Sequence, residues 1–255
     1  MQIIAKCTIS HTLMEIMSTT SEFKKVFNQI SEKMLASFDI SGINSGEQVT
    51  PPQLIDAMNQ FFIIFEKLDN DQSSHDHISK DEISQMGEHA IGCLMDLSVW
   101  ADRLKLPKEK AGIDQVALGT AHWLIQHRGE IRILEPIVNA LAIKANTTEN
   151  KEALIALFHV ISDVIEHSSS AIKSDLEKSD PTRPWRILNL NFAIVATRSQ
   201  NTDLMVKAFD RLGHNLPEDC PSFFEEGLKQ AEKPSFGPEI KTIMKDYFSK
   251  WTTRH

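Results

Sequence analysis

PWRILNLNFAIVATRS, residues 184–199, decides the fold. Proline at its start and the run Asn201-Thr202-Asp203 just beyond it mark the ends of a helix. Between those marks apolar residues fall on almost every side. A surface helix keeps one polar face, so this pattern predicts a helix covered by other helices. On a helical wheel Ile187, Asn191, Ile194, Val195 and Arg198 share one side, and Trp185, Asn189, Phe192 and Ala196 the other. Asparagines among such residues need hydrogen-bond partners, or each costs about 1–3 kcal/mol.

Outward from this helix the chain repeats one grammar. Its ten prolines and ten glycines sit between segments of helical periodicity, with little strand alternation. Upstream, stripes at helical spacing predict helices over residues 21–38, from Pro51 to Leu68, from Ser79 to about Lys105, over 108–127 and over 130–145. Pro136 marks either the true start of the last of these or a kink. Phe61 to Phe65, FFIIF, is the most apolar pentad and is expected to be buried. A long helix follows, with Leu154, Phe158, Ile161, Ile165 and Leu176 inward and a bend at Ser168–Ser170. Asp180-Pro-Thr-Arg-Pro184 is the clearest break. Downstream, Leu204–Leu212, Phe223–Ala231 and Ile240–Trp251 are three further stripes. The expected fold is all-α: an array of about ten antiparallel helices, stacked as α-hairpins in a tetratricopeptide-like or generic right-handed superhelix. Residues 1–20 read as a mobile N-terminal extension, because Met17–Glu22 resembles a natural chain start. Residues 21–255 read as a single helical domain, open to sub-division near 179–184.

Composition bounds the function. Thirty-five acidic against 27 basic residues give a net charge of −8. Phosphate neutralisation needs a basic face, so nucleic acid is not the expected partner. Nor is membrane insertion, since no apolar run approaches the ~18 residues of a bilayer span. Three scattered cysteines, Cys7, Cys93 and Cys220, fit reduced thiols and a cytoplasmic location. No cofactor fingerprint, phosphate loop or nucleophile elbow occurs. Catalysis from scattered residues stays open as an enzyme of unknown class.

Two clusters invite a metal reading. The segment from Asp69 to Glu82 begins and ends like a calcium-binding EF-hand loop. Counted from Asp69 it has fourteen residues, where that motif has twelve. Counted from Asp71 it has twelve, but His75 takes a ligand position and Asp76 replaces the glycine. The alternative to a degenerate calcium loop is a solvated turn that ends in the Ser79/Glu82 capping box. His159, Asp163 and His167 lie one turn apart on one helical face, but opposite the apolar stripe, where polar residues belong in any case. His122 and His127 flank Trp123 near the Arg128-Gly129 turn and read as core or cap histidines.

The last quarter carries a spacing of 34 residues, between Ala193 and Gly227 and between Phe209 and Ile243, with Pro217 closing the first unit. This resembles a degenerate tetratricopeptide pair. Asn189 stands where that family has tryptophan, and Met205 and Leu212 where it has alanines. The resemblance implies a groove that binds peptide or protein rather than a catalytic centre. The expected function is therefore a protein–protein interaction module or scaffold. Trp185, Arg186, Asn189, Asn191 and Arg198 are the expected partner-binding residues, set against the alternative that they only tie neighbouring helices together.

Overall fold

The computed structural model describes residues 19–43, 46, 48–70, 78–233 and 236–252. Among them run eleven helices: α1 (Thr20–Ser41), α2 (Pro51–Asn70), α3 (Lys80–Arg103), α4 (Pro107–Gln126), α5 (Glu135–Thr147), α6 (Lys151–His167), α7 (Ser170–Lys173), α8 (Pro184–Ser199), α9 (Thr202–Asn215), α10 (Cys220–Ala231) and α11 (Pro238–Thr252). The fold is all-α. Its one β-type contact among the described residues is an isolated bridge between Ile131 and Ser168. No described helix is long and apolar enough to cross a membrane.

Local chemistry sets the ends. Thr19 caps α1 in a reciprocal box with Glu22, and Gly42 closes it in the left-handed conformation. Thr20 therefore belongs to the helix and not to an extension; residues 1–18 lie outside the described residues. Ser79 and Glu82 form the same box at α3. Pro136 is the second residue of α5, so it marks the start of that helix rather than a kink. The stretch before it is extended and pairs with the chain beyond α6: the Ile131 amide donates to the His167 carbonyl at 2.8 Å, and the Ser169 amide to the Ile131 carbonyl at 2.8 Å. That pairing breaks the long helix expected through Ser168.

The chain divides into two compact units, residues 1–143 with 166–174, and 144–165 with 175–255. The last crossing falls a few residues ahead of the division considered at 179–184.

In the first unit α1, α2, α3 and α4 pack in a ring, each on two neighbours, as an antiparallel four-helix bundle. Its core is aromatic. Phe62 lies 5.7 Å from Phe23 and 5.2 Å from Phe27, and Phe65 stacks on Trp123 at 4.0 Å. Phe62 and Phe65 are fully buried, but Ile63 and Ile64 are 55% and 38% exposed. A straight helix turns 100° per residue, so five consecutive apolar residues cannot all face one core. Gly112 and Gly119 let α4 approach α1 closely: a Cβ on them would stand 2.7 Å from Ile30 and 2.6 Å from Phe23.

The second unit holds α6 and α8–α11. α8 packs on α9, α9 on α11 and α11 on α10. Phe158 of α6 stacks on Phe192 of α8 at 4.3 Å. Phe209 of α9 meets Phe224 of α10 at 5.0 Å and Tyr247 of α11 at 5.1 Å. Ahead of α8, Arg183 organises its own loop. Its guanidinium donates to both carboxylate oxygens of Asp175, at 2.6 and 3.0 Å, and to the carbonyls of Lys178 and Asp180. Asp175 is drawn inward in a left-handed conformation. Leu176 is thereby turned out and is 88% exposed, not inward as its place in the stripe predicted.

Candidate functional site

α8 and α10 are the walls of a trough in the second unit. The start of α8 meets the end of α9 through Asn189 and Asn215, and meets the start of α10 through Arg186 and Asp219, so α8 and α10 point the same way. They are joined at their N-terminal ends. Arg186 donates from Nε to Asp219 Oδ1 at 2.7 Å, and from Nη1 to the Pro181 carbonyl at 2.9 Å. Beyond that link the two helices leave a space of about 640 Å³.

Each wall is one helical stripe. Arg186, Leu190, Ile194 and Arg198 succeed one another at four-residue spacing on α8; Asp219, Phe223, Gly227 and Ala231 do so on α10. Three turns on either side make a channel about 18 Å long. Met244 of α11 forms the floor and Phe236 the flank. Gly227 keeps the floor deep, since a Cβ there would stand 2.7 Å from the Met244 sulfur. Ile194 is 40% exposed on the channel side. α8 is thus not covered on every side: its second apolar face opens onto the trough.

The five partner-binding candidates separate. Arg186 and Arg198 line the trough. Trp185 and Asn189 lie in the interior, 5% and 1% exposed. The Asn189 amide donates to the Trp185 carbonyl at 2.9 Å, and its oxygen accepts from Asn215 at 2.7 Å, which ties α8 to the end of α9. Asn191 is half-buried and is not part of the trough wall. Arg198 also has a structural duty: it donates to the carbonyls of Ala145 and Thr148, at the close of α5, the latter at 2.6 Å. The α10 wall was missed in the sequence. Phe223 read there as part of an ordinary core stripe and Gly227 as one end of the 34-residue spacing, and nothing local showed that α10 stands away from α8.

Leu190, Ile194, Phe223, Phe236 and Met244 make the lining of the trough largely apolar. The nearest thiol, Cys220, is fully buried; burial, with the Asp219 charge beside it, pushes it up to about 12, so it stays protonated. In the first unit the Asp114 carboxyl, 5% exposed, is pushed up to about 6 by burial, reinforced by Glu135 and Asp102 and opposed by Lys110. His122 Nδ1 is buried without a partner among the described residues, and burial lowers the affinity of that ring for a proton. His127 caps α4 and stacks on Trp123 at 4.3 Å.

The metal readings find no assembled cage. Among the described residues no three His, Cys, Asp or Glu side chains converge on a metal position, His159, Asp163 and His167 included. At the calcium-like loop, residues 71–77 lie outside the described residues. Both ends are engaged in the fold: Asp69 accepts from Trp123 Nε1 at 3.0 Å, and Glu82 accepts from the Ser79 amide and hydroxyl at 2.8 Å each. A smaller hollow of about 340 Å³ beside it is bounded by Phe61, Ile78, Glu82, Gln85, Met86 and His89.

Comparison of the chain with protein-family models, curated proteins and solved structures finds no match.

Proposed function

We propose that this chain is a protein-interaction module whose docking site is the α8–α10 trough, and that the occupant is an amphipathic helix of a partner protein. The shape of the trough carries the reading. It is about three helical turns long and walled by two parallel stripes with four-residue spacing. A helix laid between them presents its own side chains at i, i+4 and i+7 to both walls, as in helix-in-groove recognition. Met244, Phe223, Leu190 and Ile194 supply apolar contact, and a methionine floor adapts to varied side chains. The 34-residue spacing between Ala193 and Gly227 supports the same reading, because groove binding is what the tetratricopeptide resemblance implies.

A photo-crosslinking residue at Ile194 tests it in the native cell, with the same residue at exposed Val99 of α3 as control. The expected result is a protein adduct from Ile194 and not from Val99, mapped by mass spectrometry to a helical segment of the partner. The purified partner then loses binding to Ile194→Glu. Adduct formation that is equal at both positions, or absent from Ile194, rejects the trough as the docking site.

A further inference from the structure

We infer that the helix accepted by the trough is anchored by one aromatic side chain at its middle turn, seated between Ile194 and Gly227; this rests on the docking reading above. The bulk of the walls changes along the trough. Arg186 and Asp219 meet at 2.7 Å, so the two parallel stripes start level. Four residues further along each helix, Leu190 stands opposite Phe223, and two large apolar side chains share the width. Four residues further again, Ile194 stands opposite Gly227, which brings no side chain. The α10 wall therefore has a window at this turn. The Met244 side chain fills the back of the window, with Sδ 2.7 Å and Cε 3.0 Å from the point where a Cβ on Gly227 would stand. Ile194 is 40% exposed across from it. Phe223, one turn before the window, and Phe236 also line the trough, and both are half-buried. The missing side chain selects for size, because a small occupant leaves the lining atoms without contacts. The surface around the window selects for chemistry. An aromatic ring gains edge-to-face contact with phenylalanine and contact with a thioether sulfur, both beyond what buried area supplies. A leucine fills the width and gains neither. Central aromatic anchors of this kind are where helix and protein interfaces concentrate their affinity.

The test uses the full chain and three alanine-based peptides of about 18 residues, long enough to hold helical structure. All carry leucines at i and i+7, and position i+4 between them holds phenylalanine, leucine or alanine. Fluorescence anisotropy is expected to find the phenylalanine peptide tightest and the leucine peptide about fivefold weaker, the scale of aromatic contacts beyond buried area. The alanine peptide is expected to be about tenfold weaker again, the scale of one buried leucine. Met244→Leu, a swap of similar volume, and Phe223→Leu each remove one aromatic contact from the window. Each is expected to cut the preference for phenylalanine over leucine to about twofold, while the leucine peptide binds as before. A preference unchanged in both variants, each folded by circular dichroism, overturns this seat for the anchor. Phenylalanine and leucine peptides that bind the wild-type chain alike, and are both lost in Ile194→Glu, overturn the aromatic preference and leave the docking reading standing. If no peptide binds the wild-type chain, both readings fall.

Discussion

Arg183 and Asp175 face each other as a two-pronged ion pair, with both side chains only 5% exposed, and the chain between them is wound around the guanidinium. The contact does more than join two charges. Two remaining carbonyls of the loop, from Lys178 and Asp180, are satisfied by the same arginine. The angle at which α8 leaves the loop, and with it one wall of the trough, depends on this hub.

Removing one partner is expected to cost far more than removing both. Arg183→Met leaves a buried carboxylate and two loop carbonyls without a donor, a loss of about 3–5 kcal/mol. Arg183→Met combined with Asp175→Leu recovers a substantial part of it. Urea unfolding of the two variants and the wild type measures the difference; equal losses in single and double variants contradict the account.

Asn189 is expected to matter for stability and not for binding. Asn189→Leu strands the Asn215 amide and costs about 1–3 kcal/mol. Asn191→Leu, at a half-buried position off the trough wall, changes stability by less than about 0.5 kcal/mol. Thermal melts, with peptide binding measured in parallel below the transition, separate the two. A binding loss in a folded Asn189→Leu protein returns that residue to the site.

The α1–α4 approach predicts an overpacking effect. Gly119→Ala puts a methyl group 2.6 Å from Phe23. The gain of about 1 kcal/mol in helix propensity is outweighed by strain of about 1–3 kcal/mol. The net loss appears as a lower urea midpoint. Gly92→Ala, whose Cβ meets nothing within 4 Å, is the control and is expected to stabilise.

Asp114 predicts a signed pH dependence. Its folded-state value, about 6, lies above the ordinary carboxyl value of 3.8. The folded state therefore holds the proton more tightly than the unfolded state does. The group's contribution is most favourable below about 4, falls as the pH rises through 6, and is lost above it. A shift of about two units corresponds to at most about 3 kcal/mol. Asp114→Asn is expected to raise the melting temperature at pH 7.5 and to leave it nearly unchanged at pH 4. An equal effect at both pH values removes titration as the cause.

Most of the helices were legible because their signals are local. Ser79 with Glu82, and the prolines at 51 and 184, state where helices begin, whatever packs on them. Burial was less legible, since it depends on which face meets a neighbour. Ile63 and Ile64 are as apolar as the phenylalanines that flank them, yet they lie on the wrong side of α2. Leu176 continues a stripe in the sequence, but a charge pair eight residues across overrides it. The trough was half legible. Arg186 and Arg198 stood out as charges on an apolar helix, whereas the opposite wall is defined by a separation between helices, and no residue of α10 encodes that separation by itself.

The two glycines of α4 carry one further consequence. Gly112 and Gly119 are notches into which Ile30 and Phe23 fit, and neither member of a pair has a preferred size apart from the other. Stability depends on the summed volume of each pair. An alanine at 119 becomes acceptable once residue 23 has shrunk, and a shrunken residue 23 leaves a void until 119 has grown. Change at this seam is therefore conditional: related chains are expected to alter the two positions together, and transplanting either residue alone between them costs stability that neither parent shows.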